Sequence, residues 1–420
     1  MKVAVISDLH FGDAGCVLVE EARTGWCLRA RVAEQLEWLK TVDVLVLLGD
    51  IFDFSIAEYQ EAFAAATPFF NWLKNGDRLK QIVYCPGNHD AMLWHVLEYE
   101  TRVVRSLANP AERKAKPLRS ALPCVIDTTK ASVTLPGIDR PGSNFLTDFI
   151  GISTLVGYPN VYLVTPEGTM LLTHGHYFES YWAIFAEIVQ RFGGDDYKTH
   201  PVLKIPPVGE VPTLKQLVDF NHPLVSLACM GIGQAGDLTI RARQVQREAK
   251  NVPIVPGMLL DKYLERAREW AGTIYHPGPK PAHWYDLKDQ AKYAEQRVVD
   301  AAVDKALDWA FTWLRGQING TTSARKAAAA PDIKSWLTHA AVNPRFDRYM
   351  EAATVETKML GIAAPTACTI GHTHTHEVWP TAVQTAHHGM IACCNTGGWL
   401  VASEAFALVW DGAYGFKKAL

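Results

Sequence analysis

The sequence predicts an α/β protein interrupted by a large helical insertion. Over the first ninety residues, short β-branched runs end in polar turns and alternate with amphipathic helical patterns. A long helical block follows, and the chain returns to β-rich segments near its end. In order, VAVIS (3–7), DVLVLLG (43–49) and QIVYCPG (81–87) read as strands. Between the first two, RARVAEQLEWLK (29–40) sets Val32, Leu36 and Leu39 on one helical face, and AFAAATPFFNWLKN (62–75) does the same before the third. The stretch 122–173 is shorter and β-rich, with NVYLV (160–164) and TMLLTHG (169–175) as its clearest strands. From about 177 to 360 the periodicity is helical, as in 237–251, 259–272 and 294–316, with Pro-rich breaks near 201–212 and 276–282. PTACTIGHTHTHEV (365–378) and HGMIACCNTGG (388–398) are β-rich again. These patterns predict a split domain, 1–176 with 361–420, carrying a mainly helical insertion or cap over 177–360.

Composition bounds the function. With 48% hydrophobic and 20% charged residues in 420, the chain can bury a substantial core. A formal charge of -3 provides no broad basic field of the kind that drives non-specific nucleic-acid binding. MKVAVISDLHF reaches charged residues too soon for a signal-peptide core, so a cytoplasmic location is expected. No window has the roughly 18 uninterrupted apolar residues of a membrane span, which leaves peripheral contact as the open mode of membrane association. Eight cysteines without CxxC spacing predict reduced thiols, with Cys393 and Cys394 in a strand.

Every candidate for chemistry falls where a predicted strand ends. Asp8 and His10 follow the first strand as DLH, Gly49 and Asp50 follow the second, and GNHD (87–90) follows the third. His174 closes TMLLTHG, and His372 and His374 lie in GHTH. The carboxyl ends of strands in an open α/β sheet point into one crevice, so such residues converge. Each fragment alone is weak, since GD is a common turn and Asn or Asp often caps a helix. Five in order, each ending in a residue able to bind metal, are specific.

The series DLH, GD, GNHD, HGH and GHTH resembles that of the calcineurin-like metallophosphoesterases. The resemblance covers the catalytic portion and not the insertion. It implies a double-ψ-like β-sandwich flanked by helices, with two divalent metals at its edge. It also implies a ligand set: Asp8, His10 and His374 around one metal, Asn88, His174 and His372 around the other, and Asp50 joining both. Two ions roughly 3.5–4 Å apart need a carboxylate bridge, for which Asp50 is the natural candidate. Mixed imidazole and oxygen ligands suit Mn, the first choice, or Fe, Zn or Co, better than Ca. The implied reaction is direct attack of a metal-bridging hydroxide on a phosphate monoester, diester or pyrophosphate.

His89, beside Asn88, is then placed to protonate the leaving oxygen, or is an outer structural histidine. Asp53, in GDIFD, matches a carboxylate that orients this histidine in related phosphatases, or caps the following helix. Strand alternation turns His176 away from the metals, as a substrate-side or structural group. His376 reads equally as solvent-facing, and His387 and His388 as turn residues. Arg345 and Arg348 meet a phosphate or are solvated charges.

Phe54 and Asp90 stand where the protein serine/threonine phosphatases carry Arg and Glu, which argues against that subgroup. GDIFDF, HGHYFES and CNTGGW are similar to segments of the UDP-2,3-diacylglucosamine hydrolases, which act on a lipid-linked pyrophosphate, although that group has Arg where His89 stands. Aromatics of the insertion, such as Tyr177, Tyr181, Trp182, Trp270 and Trp309, pack the cap or line an acyl groove. The expected partner is therefore a small-molecule or lipid-linked phosphate. The alternatives are a family nuclease, which calls for a basic groove, and a non-catalytic scaffold, against which the intact ligand set argues.

Overall fold

In the computed structural model the described residues are 1–23, 25–109, 119, 121–136, 144–179, 213–226, 234, 333–339, 342–401 and 403–419. The helical patterns at 237–251, 259–272 and 294–316 lie outside them, as do Tyr181, Trp182, Trp270 and Trp309. Contacts group Met1–Gln244 with Ala324–Leu420 as one compact unit, to which all the described residues belong.

The predicted strands form. They are β1 (Val3–Ile6), β4 (Val44–Leu47) and β5 (Gln81–Tyr84), with a hairpin of β2 (Val19–Ala22) and β3 (Gly25–Leu28) between the first two. Next come β6 (Cys124–Asp127), β7 (Ser132–Thr134), β8 (Ser153–Val156), β9 (Asn160–Thr165) and β10 (Gly168–Thr173). Later in the chain follow β11 (Pro365–Ile370), β12 (Glu377–Gln384), β13 (Met390–Asn395), β14 (Phe406–Trp410) and β15 (Tyr414–Lys418). One sheet runs β15-β14-β1-β4-β5-β8 and the other β12-β13-β11-β10-β9-β6-β7.

Each sheet has a parallel centre. In the first, β1, β4, β5 and β8 pair in parallel. In the second, β10, β11 and β13 do so. Parallel strands end on the same side, so each sheet presents several strand ends at one edge. β1 and β4 are buried along their whole length, as parallel strands covered on both faces must be. The sheets also join through polar contacts, such as the Cys85 thiol donating to the Pro159 carbonyl at 3.2 Å. The result is a β-sandwich with flanking helices.

The amphipathic face of helix α1 (Ala30–Leu36) is as expected, with Val32 and Leu36 buried, but at Glu37 the helix tightens into a 3-10 turn that buries Leu39. Helix α2 (Tyr59–Leu73) starts three residues before the predicted stretch, because Glu58 and Glu61 close a reciprocal capping box there. Its buried Phe69 and Phe70 pack with Phe11, Phe52 and Phe149 directly behind the loops after β1 and β4. Truncating such a ring costs about 3–5 kcal/mol. Those loops therefore rest on a rigid floor.

The helix Asn343–Leu360 has Pro344 in its first turn and ends at Gly361 with φ of 69°. It packs on the second sheet, where the Tyr349 hydroxyl donates to Asn160 Oδ1 at 2.7 Å. Among the described residues, no helix is long and apolar enough to cross a membrane. Cys393 and Cys394 are strand residues, and the cysteines of the described residues are free thiols.

Candidate metal centre

The backbone is unusual where the strands end. Asp8, His10, Asp50, His372 and His374 all have positive φ, at 56°, 50°, 51°, 69° and 57°. Such conformations cost non-glycine residues of order 1–2 kcal/mol each and persist only where the surroundings hold them. Here the loops hold one another. The Asp8 amide donates to the Gly49 carbonyl and the His10 amide to the Asp50 carbonyl, each at 2.9 Å, while the Gly371 amide donates to the His174 carbonyl at 3.1 Å. A Cβ on Gly87 would collide with the Asp50 carboxylate, and one on Gly371 with the Asp8 carboxylate and the Ser7 hydroxyl. The motif glycines are thus required for close approach.

The structure brings all nine candidates to one edge of the sandwich. Ligand atoms of Asp8, His10 and His374 lie within 4.8 Å of one another, as do those of Asp50, His174 and His372. Asp50 Oδ2 is 3.1 Å from His174 Nε2 and 4.0 Å from His10 Nε2, which sets this oxygen between the two groups. Asn88 Oδ1 is 3.2 Å from His174 Nε2. His89 Nδ1 meets Asp53 Oδ1 at 2.8 Å, and its Nε2 lies 4.0 Å from Asp50 Oδ2. The other oxygen of Asp53 meets His10 Nδ1 at 2.9 Å. Asp53 does not cap helix α2, whose N-cap residue is Glu58.

The electrostatics follow from burying so many ionisable groups. Burial alone would raise Asp50, yet the positive fields of His174, His89 and His10 hold it well below the usual carboxylate range. Burial also opposes the charge on His174, but Asp50 outweighs it and lifts the imidazole to about 9. Asp8 rises, chiefly through burial, with Asp50 adding to the shift. Burial and then His10 push His374 well below the ordinary imidazole value.

The donor set fits divalent cations. His10 Nε2 and His374 Nε2 face each other at 2.9 Å, with Asp8 Oδ1 3.5 Å from the latter. Ring nitrogens and carboxylate oxygens that converge this closely are satisfied together by a cation.

Supporting residues escaped the sequence reading. Asp90, at the end of GNHD, accepts from the amides of Gly87 at 2.6 Å and Ile51 at 2.8 Å and from the Tyr84 hydroxyl, clamping two loops together. Burial, with Asp50 nearby, raises its pKa to about 6. Asn395, in CNTGGW, donates to the Gly371 carbonyl at 2.8 Å and to Thr373 Oγ1 at 2.9 Å, and so steadies GHTH. Glu179 lies 3.5 Å from His372 Nε2. Asp90 and Asn395 stood inside noticed motifs, but their side-chain bonds are long-range and invisible in spacing.

The other histidines separate cleanly. β10 stops at Thr173, so strand alternation does not govern His176, which lies in a 3-10 turn with its ring centroid 5.6 Å from that of His174. It is buried, and among the described residues neither ring nitrogen has a hydrogen-bond partner. His376 stacks on Phe406 and pairs with Glu404 at 3.1 Å. His387 and His388 lie between β12 and β13, where His387 binds Asp347. Arg348 is exposed and Arg345 partly so.

Residues 1–203 match a family model described as calcineurin-like phosphoesterase. Among solved structures, a dimetal phosphatase from Danio rerio aligns over 100% of this chain and 96% of its own, at 12% identity and a TM-score of 0.30. A likeness that small has no bearing on what this chain does. No curated protein matches the chain.

Proposed function

The chain belongs, over residues 1–203, to the calcineurin-like phosphoesterases, and from that premise we propose that it is a dinuclear-metal-dependent hydrolase of a small or lipid-linked phosphate ester or pyrophosphate. The observation that carries this reading is Asp50 Oδ2, set between two groups of converging imidazole and carboxylate donors. Asp8, His10 and His374 would hold one ion, Asn88, His174 and His372 the other, and Asp50 both. Two such ions would make hydroxide available near neutrality and neutralise the phosphoryl oxygens as charge builds.

The remaining steps belong to the chain. Asp53 anchors His89 Nδ1, leaving Nε2 turned toward Asp50 to deliver a proton to the leaving oxygen. Attack is in line, and no residue is assigned as a covalent nucleophile. Beside His374, Gly398 walls a groove of about 390 Å³ lined by Val17, Val32, Leu400 and Val401, with Arg31 among them. A groove that mixes these apolar side chains with Arg31, Gln35 and Ser403 is in keeping with a substrate that extends beyond its phosphate. Selection among such substrates is assigned to the segment 177–360, and manganese is the proposed metal.

The test is hydrolysis by Mn-loaded protein of p-nitrophenyl phosphate, bis-p-nitrophenyl phosphate and a UDP-sugar pyrophosphate, with Asp50→Asn as control. Turnover of at least one substrate that falls to background in the variant is expected. Silence on all three with no metal bound would sink the reading in favour of a non-catalytic scaffold.

A further inference from the structure

Two inward-facing imidazoles on this edge are held from behind by an oxygen through Nδ1. His174 has Nδ1 at 3.0 Å from the Leu48 carbonyl, which leaves Nε2 facing Asp50. His10 has Nδ1 at 2.9 Å from Asp53, which leaves Nε2 facing His374. In both, the outer oxygen fixes the proton on one nitrogen and so selects the other as donor.

His372 reverses this pattern. Its Nε2 lies 3.5 Å from Glu179 Oε2, within ion-pair reach, so the nitrogen that a carboxylate faces is Nε2, which makes Nδ1 the one available to a metal. Glu179 is buried, at 7% exposure. Gly175, at φ of 104°, turns the chain out of β10 into the 3-10 turn His176–Phe178, and the Glu179 amide then closes on the His176 carbonyl at 3.1 Å. Phe178, fully buried, anchors that turn among Trp336, Phe346 and Tyr349. At the other end, the His372 amide donates to the Asp8 carboxylate at 3.0 Å, fixing where the ring starts.

Resting on the dinuclear reading above, we propose that Glu179 is the positioning residue of the second metal site: its carboxylate keeps the His372 proton on Nε2 and presents Nδ1 to the ion shared with Asp50 and His174. Outer carboxylates of this kind raise ligand basicity, and their loss typically weakens metal binding about 10–100-fold. The effect should fall on one site, because His372, which Glu179 faces, groups with Asp50 and His174 rather than with Asp8, His10 and His374.

The experiment is Mn(II) titration of the full chain by calorimetry, with Mn–Mn coupling read by electron paramagnetic resonance, for wild type, Glu179→Gln and Glu179→Asp. Two ions per wild-type chain are expected. Glu179→Gln should weaken one site about 10–100-fold with the other unchanged, and Glu179→Asp should recover part of the loss. Both constants unchanged in Glu179→Gln, or both weakened together, would overturn the positioning role while leaving the phosphoesterase reading intact. No Mn bound by wild type would overturn both. Should the variants fail to fold, ¹⁵N spectra of the histidine rings in Zn-loaded wild type decide: His372 coordinated through Nδ1 with a protonated Nε2 supports the proposal, and coordination through Nε2 defeats it.

Discussion

Asp53 is the residue whose role the structure enlarges most. Sequence position linked it to His89 alone, yet its two oxygens hold His89 Nδ1 and His10 Nδ1. Burial would raise its pKa, but the fields of His89 and His10 overcome that and hold it well below the usual range, so it stays anionic. One carboxylate therefore couples the candidate proton donor to a candidate ligand. Asp53→Ala should weaken Mn binding about 10–100-fold and lower kcat as well. His89→Ala should lower kcat by roughly 10²–10⁴-fold with metal content unchanged. Metal analysis beside steady-state kinetics separates the two, and metal loss in His89→Ala would refute its assignment as the acid. Asp8, His10, Asp50, Asn88, His174, His372 and His374 were legible as candidate ligands because metal chemistry restricts residue type and the motifs sit at strand ends. Asp90, Glu179 and Asn395 were not, since each acts through a bond to a distant loop.

At the scale of elements, two devices bring the candidate ligands together: parallel strands that end side by side, and hydrogen-bonded loops that force left-handed backbone on the residues following them. The strands were readable from β-branched runs, but pairing order was not, because local pattern says nothing of neighbours. The turn between β12 and β13 illustrates a further link. His387 binds Asp347, on the helix Asn343–Leu360, through its amide at 3.1 Å and through its ring. The Asp347 hydrogen bond raises the His387 pKa above its ordinary value. A raised folded-state pKa stabilises below the unfolded value and loses that contribution as pH rises through the folded one. Wild type should thus show a higher Tm at about pH 5.5 than at about pH 9 relative to His387→Ala, with the two curves converging at high pH. Parallel melting curves across that range would discount the pair.

At the scale of the molecule, the closing of this edge has a thermodynamic consequence. The edge closes only when loops from the first sheet meet His372 and His374, more than 360 residues from Asp8 in sequence, and it gathers buried carboxylates that repel. Cations bound to the folded chain alone stabilise it by mass action, about 2.7 kcal/mol at a hundredfold excess over Kd. Chelation should therefore lower Tm by a few degrees, and added Mn should restore it, as calorimetric melting would record. An unchanged Tm would mean that the edge holds no ion. By itself, the sequence determined the α/β class, the strands that carry the motifs and the identity of the candidate ligands, because hydrophobic period and ligand chemistry are local properties. Only tertiary structure decided which side of each imidazole faces inward, that Asp53 serves two histidines and that Glu179 stands behind His372. Those choices depend on distances between segments that no spacing along the chain encodes.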